Sequence, residues 1–479
     1  MPPRCYVQPV VDRGRSESTV GRIALVGEAR EEFLFLQAVG RAVEAEGGLS
    51  PLRFEMDPRD CAPEELDGAV IPALEPEWQA AQATASADLP DLVRAAEARY
   101  GIGNLRRLWR GDLQSWRDGV SEPELARQAL GYLAVYDRVI AEGGPIAGGY
   151  FEDSTRLAKR ALRAVALTRG ARTVVALPFA IPRRVVLVDH ETLEGSFMPW
   201  MGFEPSADEL RRGSDLIRDV RSSGVQFAEP RNLAFTPRRV ANFGRMVHRS
   251  YRGGAGQRKP ELLWYSARDY ARQRARRGTF RVTASRDLTE PGVFFPLHYA
   301  NDSQVTIRGE AYADQYALVE LIANSLPYGH VLWIKPHPAF AGDIPLARLA
   351  AMRRRSPNLR LLDPRIHAHE ILRQAQAVVT INSTTGFEAL MFGVRLVTLG
   401  KSLYRGRGLT IDVTDPAELP IALSEALTTP APGPDEVAIL LAYLERTSYP
   451  SVPMGYDLSN ENALRYASML TTEFRGESA

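Results

Sequence analysis

Along most of the chain, apolar positions fall into short continuous runs separated by longer amphipathic stretches. RIALVG at 22–27 has the form of a strand. The stretch EAREEFLFLQAVGRAVEAEG behind it repeats its apolar positions at helical spacing up to Gly47-Gly48. A second strand is predicted at 68–72 (GAVIP), behind a polar connection. Residues 88–142 are predicted helical, with Leu92, Leu105, Leu108, Leu113, Leu125, Leu130, Leu133 and Val135 at three- or four-residue steps. GGPIAGG at 143–149 predicts a strand and turn, FEDSTRLAKRALRAVALTRG a helix, and 173–177 and 184–188 two more strands. Helices are expected around 206–223 and 236–250.

From residue 291 the alternation sharpens. VFFPLH (293–298), HVLWIKP (330–336), LRLL (359–362), AVVTI (377–381) and RLVTL (395–399) read as strands. AYADQYALVELIANSL, 345–355, HAHEILRQA, TGFEALMFG, 416–427 and 434–446 read as the helices between and after them. Strands alternating with helices over short connections give a parallel, doubly wound sheet. The expected class is therefore α/β, with two Rossmann-like domains facing each other across a cleft. The expected divisions are an irregular tail at 1–20, an N-terminal α/β domain with helical insertions at 21–290, a C-terminal Rossmann-like domain at 291–450, and a C-terminal helix within 451–479 that can return to the N-terminal domain.

Composition narrows the function classes. The 479 residues carry 59 basic and 58 acidic side chains, a net charge of +1, which disfavours a protein that binds nucleic acid by neutralising phosphates. With 45% hydrophobic and 24% charged residues, wholesale disorder is excluded as well. Cys5 and Cys61 have no metal-ligand spacing, so a reduced, cytoplasmic chain is expected. No run approaches the roughly 20 apolar residues that span a bilayer. The first 20 residues lack the apolar core of a secretory signal. The basic residues are almost all arginine, the lysines being Lys159, Lys259, Lys335 and Lys401. RKPELLWYSARDYARQRARRG (258–278) reads as a solvated arginine face on a basic helix or connector.

Ligands of open parallel sheets bind at the carboxyl ends of the strands, which selects the turns to inspect. Lys335-Pro336-His337-Pro338 follows the strand VLWI, and its cation and imidazole suit an anion such as a nucleotide phosphate. Asn382-Ser383-Thr384-Thr385-Gly386-Phe387-Glu388 lies between a strand and a helix. Free backbone N–H groups and the positive helix end there also suit a phosphate, with Gly386 allowing close approach and Glu388 facing ribose hydroxyls. The alternative is plain helix capping, with Glu388 completing a capping box. Gly400-Lys401-Ser402-Leu403-Tyr404 follows the next strand by the same logic. In the N-terminal half, Glu152-Asp153-Ser154 follows a predicted strand and can supply a nucleophile or base; helix capping by Asp153 is the alternative. There is no GxxxxGK[ST], no GxGxxG after a strand, no HExxH, no G-x-S-x-G and no DxD. Kinases, dehydrogenases, zinc hydrolases and serine esterases are disfavoured accordingly.

FFPLH, the KPHP turn, INSTTGFEALMFG and LVTLGKSLYRGRGLT together resemble the capsule polysaccharide synthesis family, which includes the retaining β-Kdo transferases. The His-Pro and Ser-Thr pairs also resemble motifs of bacterial sialyltransferases, which use CMP-activated sugars too. The resemblance implies a GT-B-like fold, with the nucleotide sugar in the C-terminal domain and the acceptor on the N-terminal side. It implies that His337 with Ser383 or Thr384 holds the CMP phosphate and that Glu388 sits near the ribose; Lys335, Asn382, Thr385, Gly386, Lys401, Tyr404, His298 and Arg156 are expected to complete the nucleotide-sugar site. The acidic pair followed by arginine in the Kdo transferases is best matched by Glu152-Asp153-Ser-Thr-Arg156, with Asp153 as nucleophile and Glu152 as its rival. The glycine and aromatic residues that usually follow that pair are missing. Residues 1–140 and 200–290 match nothing in the family.

The implied protein is a glycosyltransferase of surface polysaccharide or glycolipid synthesis, cytoplasmic or peripheral on the cytoplasmic face of the membrane. Its donor would be CMP-Kdo or a related CMP-ulosonate and its acceptor a glycan or glycolipid, with no metal and no other cofactor. A transferase using a UDP-type diphosphate sugar is one alternative, and a non-catalytic capsule assembly or export protein is another.

Overall fold

The computed structural model describes residues 21–223 and 284–475, apart from short gaps at 28–29, 48, 57–60, 62, 67, 113–114, 116–119, 145 and 338–345. The expected helix at 236–250, the basic segment 258–278 and Pro338 lie outside the described residues.

Two sheets organise the rest. The first has strands β1 (Gly21–Gly27), β2 (Leu49–Glu55), β3 (Ile146–Tyr150), β4 (Arg172–Pro178) and β5 (Val185–Val188) in the order β2-β1-β3-β4-β5. All pairings are parallel except that of β5, which turns back antiparallel on β4. The second has β6 (Gly292–Pro296), β7 (Val331–Lys335), β8 (Leu359–Leu361), β9 (Ala377–Thr380), β10 (Arg395–Thr398) and β11 (Ile411–Asp412), all parallel, in the order β11-β10-β9-β6-β7-β8. That is the strand order of a dinucleotide-binding fold, with its reversal between β6 and β9. Every residue of β7 and of β9 is buried, which explains why these strands read as unbroken apolar runs.

One strand expectation is corrected. GAVIP contributes only a single bridge, Val70 to Phe54, and Pro72 begins a short 3₁₀ turn. The second strand is LSPLRFE, seven residues earlier read as connection, paired along its length with β1. It is an edge strand, so Pro51 withholds no hydrogen bond from a second neighbour and the strand tolerates it. The region 88–142 resolves into helices Leu89–Tyr100 and Glu122–Glu142 with a 3₁₀ turn at Leu105–Leu108.

The halves share apolar packing. One continuous cluster contains Phe151, Val175 and Val186 from the first half and Phe294, Trp333, Phe387 and Leu390 from the second. Gly292 makes room for the Trp333 indole on the neighbouring strand, since a Cβ there would lie 2.2 Å from the ring. After the second sheet the chain returns to the first half. Tyr449 bridges to Val185, and the helix Asn460–Arg475 packs on the helix Arg30–Glu46 with Tyr466 and Leu470 fully buried. Leu470→Ala should therefore cost about 2–5 kcal/mol, read as a lower midpoint in denaturant unfolding; an unchanged midpoint would mean this helix is not docked.

Candidate active site

In the second sheet the connections leave β6 and β9 toward opposite faces, so the turns that follow them flank a crevice. Asn382 Nδ2 crosses it, donating to the Gln304 carbonyl at 2.8 Å. The Asn382 Oδ1 atom is buried with no partner among the described residues. Ser383, Thr384 and Thr385 are half-buried on the turn. The capping alternative holds in part: Thr384 occupies the N-cap without a side-chain bond and Glu388 does not fold back on it, but Ser383 caps from one residue earlier. Ser383 Oγ accepts from the Thr385 N–H at 3.2 Å, while Tyr404, buried beneath, donates its hydroxyl to the Ser383 carbonyl at 2.9 Å. Gly386 also has a different reason from the one expected. A Cβ there would stand 2.5 Å from the Tyr404 ring, so what the missing side chain admits is Tyr404, not a ligand.

Glu388 is buried with its carboxylate 3.6 Å from His369 Nε2. Lys335, the last residue of β7, is only 8% exposed, so its ammonium is enclosed and does not stand free over the cleft. Burial lowers its pKa to about 8 against the pull of Glu388 and Asp363. His337 is half-buried two residues beyond β7. His298, just past β6, has a backbone N–H bonded to Gln315 Oε1 at 2.8 Å and a buried Nε2 with no partner among the described residues. Burial first, then the proximity of His337 and Arg308, depresses its pKa to about 4. Lys335, His337, His298 and the 382–385 turn thus lie on one rim, the ends of β7, β6 and β9 being successive neighbours about 5 Å apart. Lys401, exposed beyond β10, donates to the Glu191 carbonyl of the first half at 3.2 Å.

Across the seam, Glu152 and Asp153 follow β3. Asp153 does not cap the helix Leu157–Thr168; that task falls to Asp112, whose Oδ2 accepts the Leu157 N–H at 2.8 Å. Arg156 is drawn to the same carboxylate, with Nη1 3.6 Å from Oδ1. Glu152 Oε2 lies 3.8 Å from Lys159 Nζ, an ammonium that is fully buried and bonded to Glu32 at 2.7 Å. Asp153 reaches the second half. Arg308 forks onto it, Nη1 to Oδ1 at 3.0 Å and Nη2 to Oδ2 at 2.9 Å, and His190 Nε2 lies 2.8 Å from Oδ1. Burial alone would raise the Asp153 pKa, but Arg308 and His190 outweigh it and hold the carboxyl well below the usual range. His190 is itself depressed by burial, which leaves a neutral ring whose Nε2–H donates to Asp153.

The sequence singled out Asp153 but neither of its partners. His190 follows the short strand β5 without a motif. Arg308 lies twelve residues beyond β6 in a chain where arginine is the default cation. Further pairs stitch the same seam: Arg110 and Arg107 to Glu310 at 2.8 and 3.2 Å, while Arg160 pairs with Glu191 within the first half at 3.1 Å. Among the described residues no group of three or more His, Cys, Asp or Glu side chains is arranged to hold a metal. No described helix is long and apolar enough to cross a membrane. Chemically, the site sets an ionised, oriented carboxylate against a rim of hydroxyls and uncharged imidazole; the N–H groups of Ser383, Thr385, Gly386 and Phe387 are taken up within the turn, so they are not the free phosphate donors expected there.

These features define a two-sheet α/β protein, with a Rossmann-like second half, whose strand ends meet across a polar seam. Residues 245–418 match the model of the capsule polysaccharide biosynthesis protein family, so the resemblance drawn from the second-half motifs stands on that region, and the match reaches back into 200–290, where none was expected. Two curated proteins align with part of the chain. Protein FixF of Sinorhizobium fredii (strain NBRC 101917 / NGR234) is 31% identical over 140 residues, 29% of this chain and 33% of that protein. The capsule polysaccharide export protein KpsS of Escherichia coli is 31% identical over 163 residues, 31% of this chain and 41% of that one. The chain thus spans about a third to two fifths of the length of these relatives. Among solved structures, the KpsC β-Kdo 2,7 transferase of Thermosulfurimonas dismutans superposes over 73% of this chain and 90% of its own, at 14% identity and a TM-score of 0.39. A superposition that distant transfers no residue role.

The buried imidazole at 298 makes a pH prediction. Its folded pKa of about 4 lies below its ordinary 6.5, so the unfolded chain takes the proton first. Stability should fall as pH drops from about 6.5 toward 4, and His298→Gln should lose less melting temperature than wild type between pH 7 and pH 5. His190 contributes in the same direction, so the slope should shrink and not vanish. Equal slopes in the two proteins would refute a buried neutral His298.

Proposed function

We propose that the protein is a glycosyltransferase of surface polysaccharide synthesis (capsule, O-antigen or glycolipid) that takes its sugar from CMP-Kdo or a related CMP-ulosonate. The observation that carries this reading is Asp153, an ionised carboxylate of one half aimed across the seam by Arg308 of the other. In the proposed cycle Asp153 attacks the anomeric carbon as the bond to the CMP phosphate breaks. The monophosphate departs toward His337 and the Ser383–Thr385 hydroxyls at the start of the helix Thr385–Phe392. Donors fixed in advance in an enclosed site stabilise such a leaving charge without reorganising. An acceptor hydroxyl then displaces the carboxylate, its proton passing to the CMP phosphate freed in the first step, so configuration is retained. Water must be kept out, because hydrolysis of the same intermediate competes.

Glu152, with its side chain 40% exposed, is the rival nucleophile. A non-catalytic role in capsule assembly or export is a second reading, favoured by the name of the Escherichia coli relative alone.

Two measurements test the proposal. In a thermal-shift panel of CMP, UDP and GDP, CMP should raise the melting temperature most, and His337→Ala should remove most of that shift. Stabilisation by UDP and not CMP would replace the donor assignment with a diphosphate sugar. Asp153→Asn should keep CMP binding while lowering release of CMP from CMP-Kdo by at least about a hundredfold. Full turnover in that variant would transfer the nucleophile's role to Glu152, and no turnover in wild type would favour the assembly role.

A further inference from the structure

A carboxylate on one half must be held in fixed register with a sugar held by the other half, and the structure contains one connection that does this directly. Arg308 stands on the segment that follows β6, beside the rim turns. Its side chain is 1% exposed. Besides the fork onto Asp153, Nη2 donates to Ser303 Oγ at 2.9 Å and Nη1 to the His190 carbonyl at 3.5 Å. The guanidinium is thereby fixed by its own half through Ser303 and by the opposite half through residues 153 and 190. On Asp153 the bonds are unequal: among the described residues Oδ1 receives both Arg308 and His190, whereas Oδ2 receives Arg308 alone. A carboxylate offers about four lone-pair positions, so Oδ2 keeps the freer one.

We propose that Arg308 and His190 are positioning residues that make Asp153 Oδ2 the attacking atom, with Arg308 setting its register from the half that holds the nucleotide. This rests on Asp153 being the nucleophile. Forked geometry is what separates the role from simple charge balance. A lysine would supply the cation, but it cannot hold both oxygens in one plane. His190 fixes the carboxylate's remaining rotation from the other side.

The test uses the full chain carrying Arg308→Lys or His190→Gln. Three quantities are read: CMP affinity by calorimetry, kcat and KM for CMP-Kdo from CMP release, and the pH profile of kcat/KM. The titratable and charged groups acting on Asp153 are Arg308, His190 and Asp302. With the fork gone, burial and Asp302 both favour the protonated acid, so the acid limb should move up toward the ordinary carboxylate range. Arg308→Lys should lower kcat about tenfold or more, leaving KM and CMP affinity within about threefold. His190→Gln should act in the same direction and less strongly. Unchanged kcat and an unmoved acid limb in both variants overturn the proposal, as does loss of CMP affinity in parallel with kcat in both, the mark of a merely structural role. If Arg308→Lys does not fold, His190→Gln decides by the same criteria. Wild-type protein that binds CMP but releases none from CMP-Kdo defeats the transferase reading itself, a result distinguishable from normal turnover in the variants.

Discussion

The ion pair between Asp153 and Arg308 joins the two halves where both sheets present their strand ends, and the other seam contacts take their positions around it. Enclosing a carboxylate and a guanidinium costs several kcal/mol per ion before their attraction returns any of it. The cost is offset here by a two-point fork, by His190 on the carboxylate and by Ser303 on the guanidinium. Such a pair is seldom more stabilising than apolar side chains of the same volume. Stability therefore does not explain why a pair stands here, since an apolar cluster already runs from Phe151 and Val186 to Phe294 and Phe387. What the pair adds is direction: it fixes where two oxygens lie and in which plane.

That shared cluster also bears on motion. Domains joined by small polar surfaces move relative to each other by default, and a large apolar interface removes that freedom. With packing continuous across the seam and the helix Asn460–Arg475 returned onto Arg30–Glu46, the halves behave as one packed body around the site. A carboxylate and a polar rim held in fixed relation need little reorganisation when charge moves between them, which is the condition for electrostatic preorganisation.

The second half was legible because its strands are buried on both faces and its connections are short. Phe294, Trp333, Val378 and Leu396 stand in apolar runs that no surface strand would show. The first half was less so. LSPLRFE carries a proline and alternates imperfectly, features an edge strand tolerates, whereas GAVIP looked the better strand and forms one bridge. For the site, strand ends could be found from the sequence, so the turns at 335–337, 382–388 and 152–153 were located. Their side-chain geometry could not be. Gly386 makes way for Tyr404 eighteen residues on, Asp112 caps a helix forty-five residues away, and Arg308 meets Asp153 across 155 positions. Pairings between remote segments leave no periodic trace, and the abundance of arginine hid the one that matters.

The charge states at the seam divide the labour further. Arg308 is a permanent cation, and it is spent on Asp153. The imidazoles nearest that pair, His190 and His298, are pushed toward neutrality by burial, so they add hydrogen-bonding groups without adding charge. Lys335 sits enclosed near Glu388 and Asp363, a cation answered by carboxylates of its own half. The rim therefore meets an anion with dipoles and hydroxyls more than with bare charge. Such a surface favours a ligand whose negative charge grows during the reaction over one already heavily charged at binding, because fixed dipoles gain most where charge appears. Within the proposed cycle, a departing monophosphate fits that description better than a diphosphate bound as a polyanion.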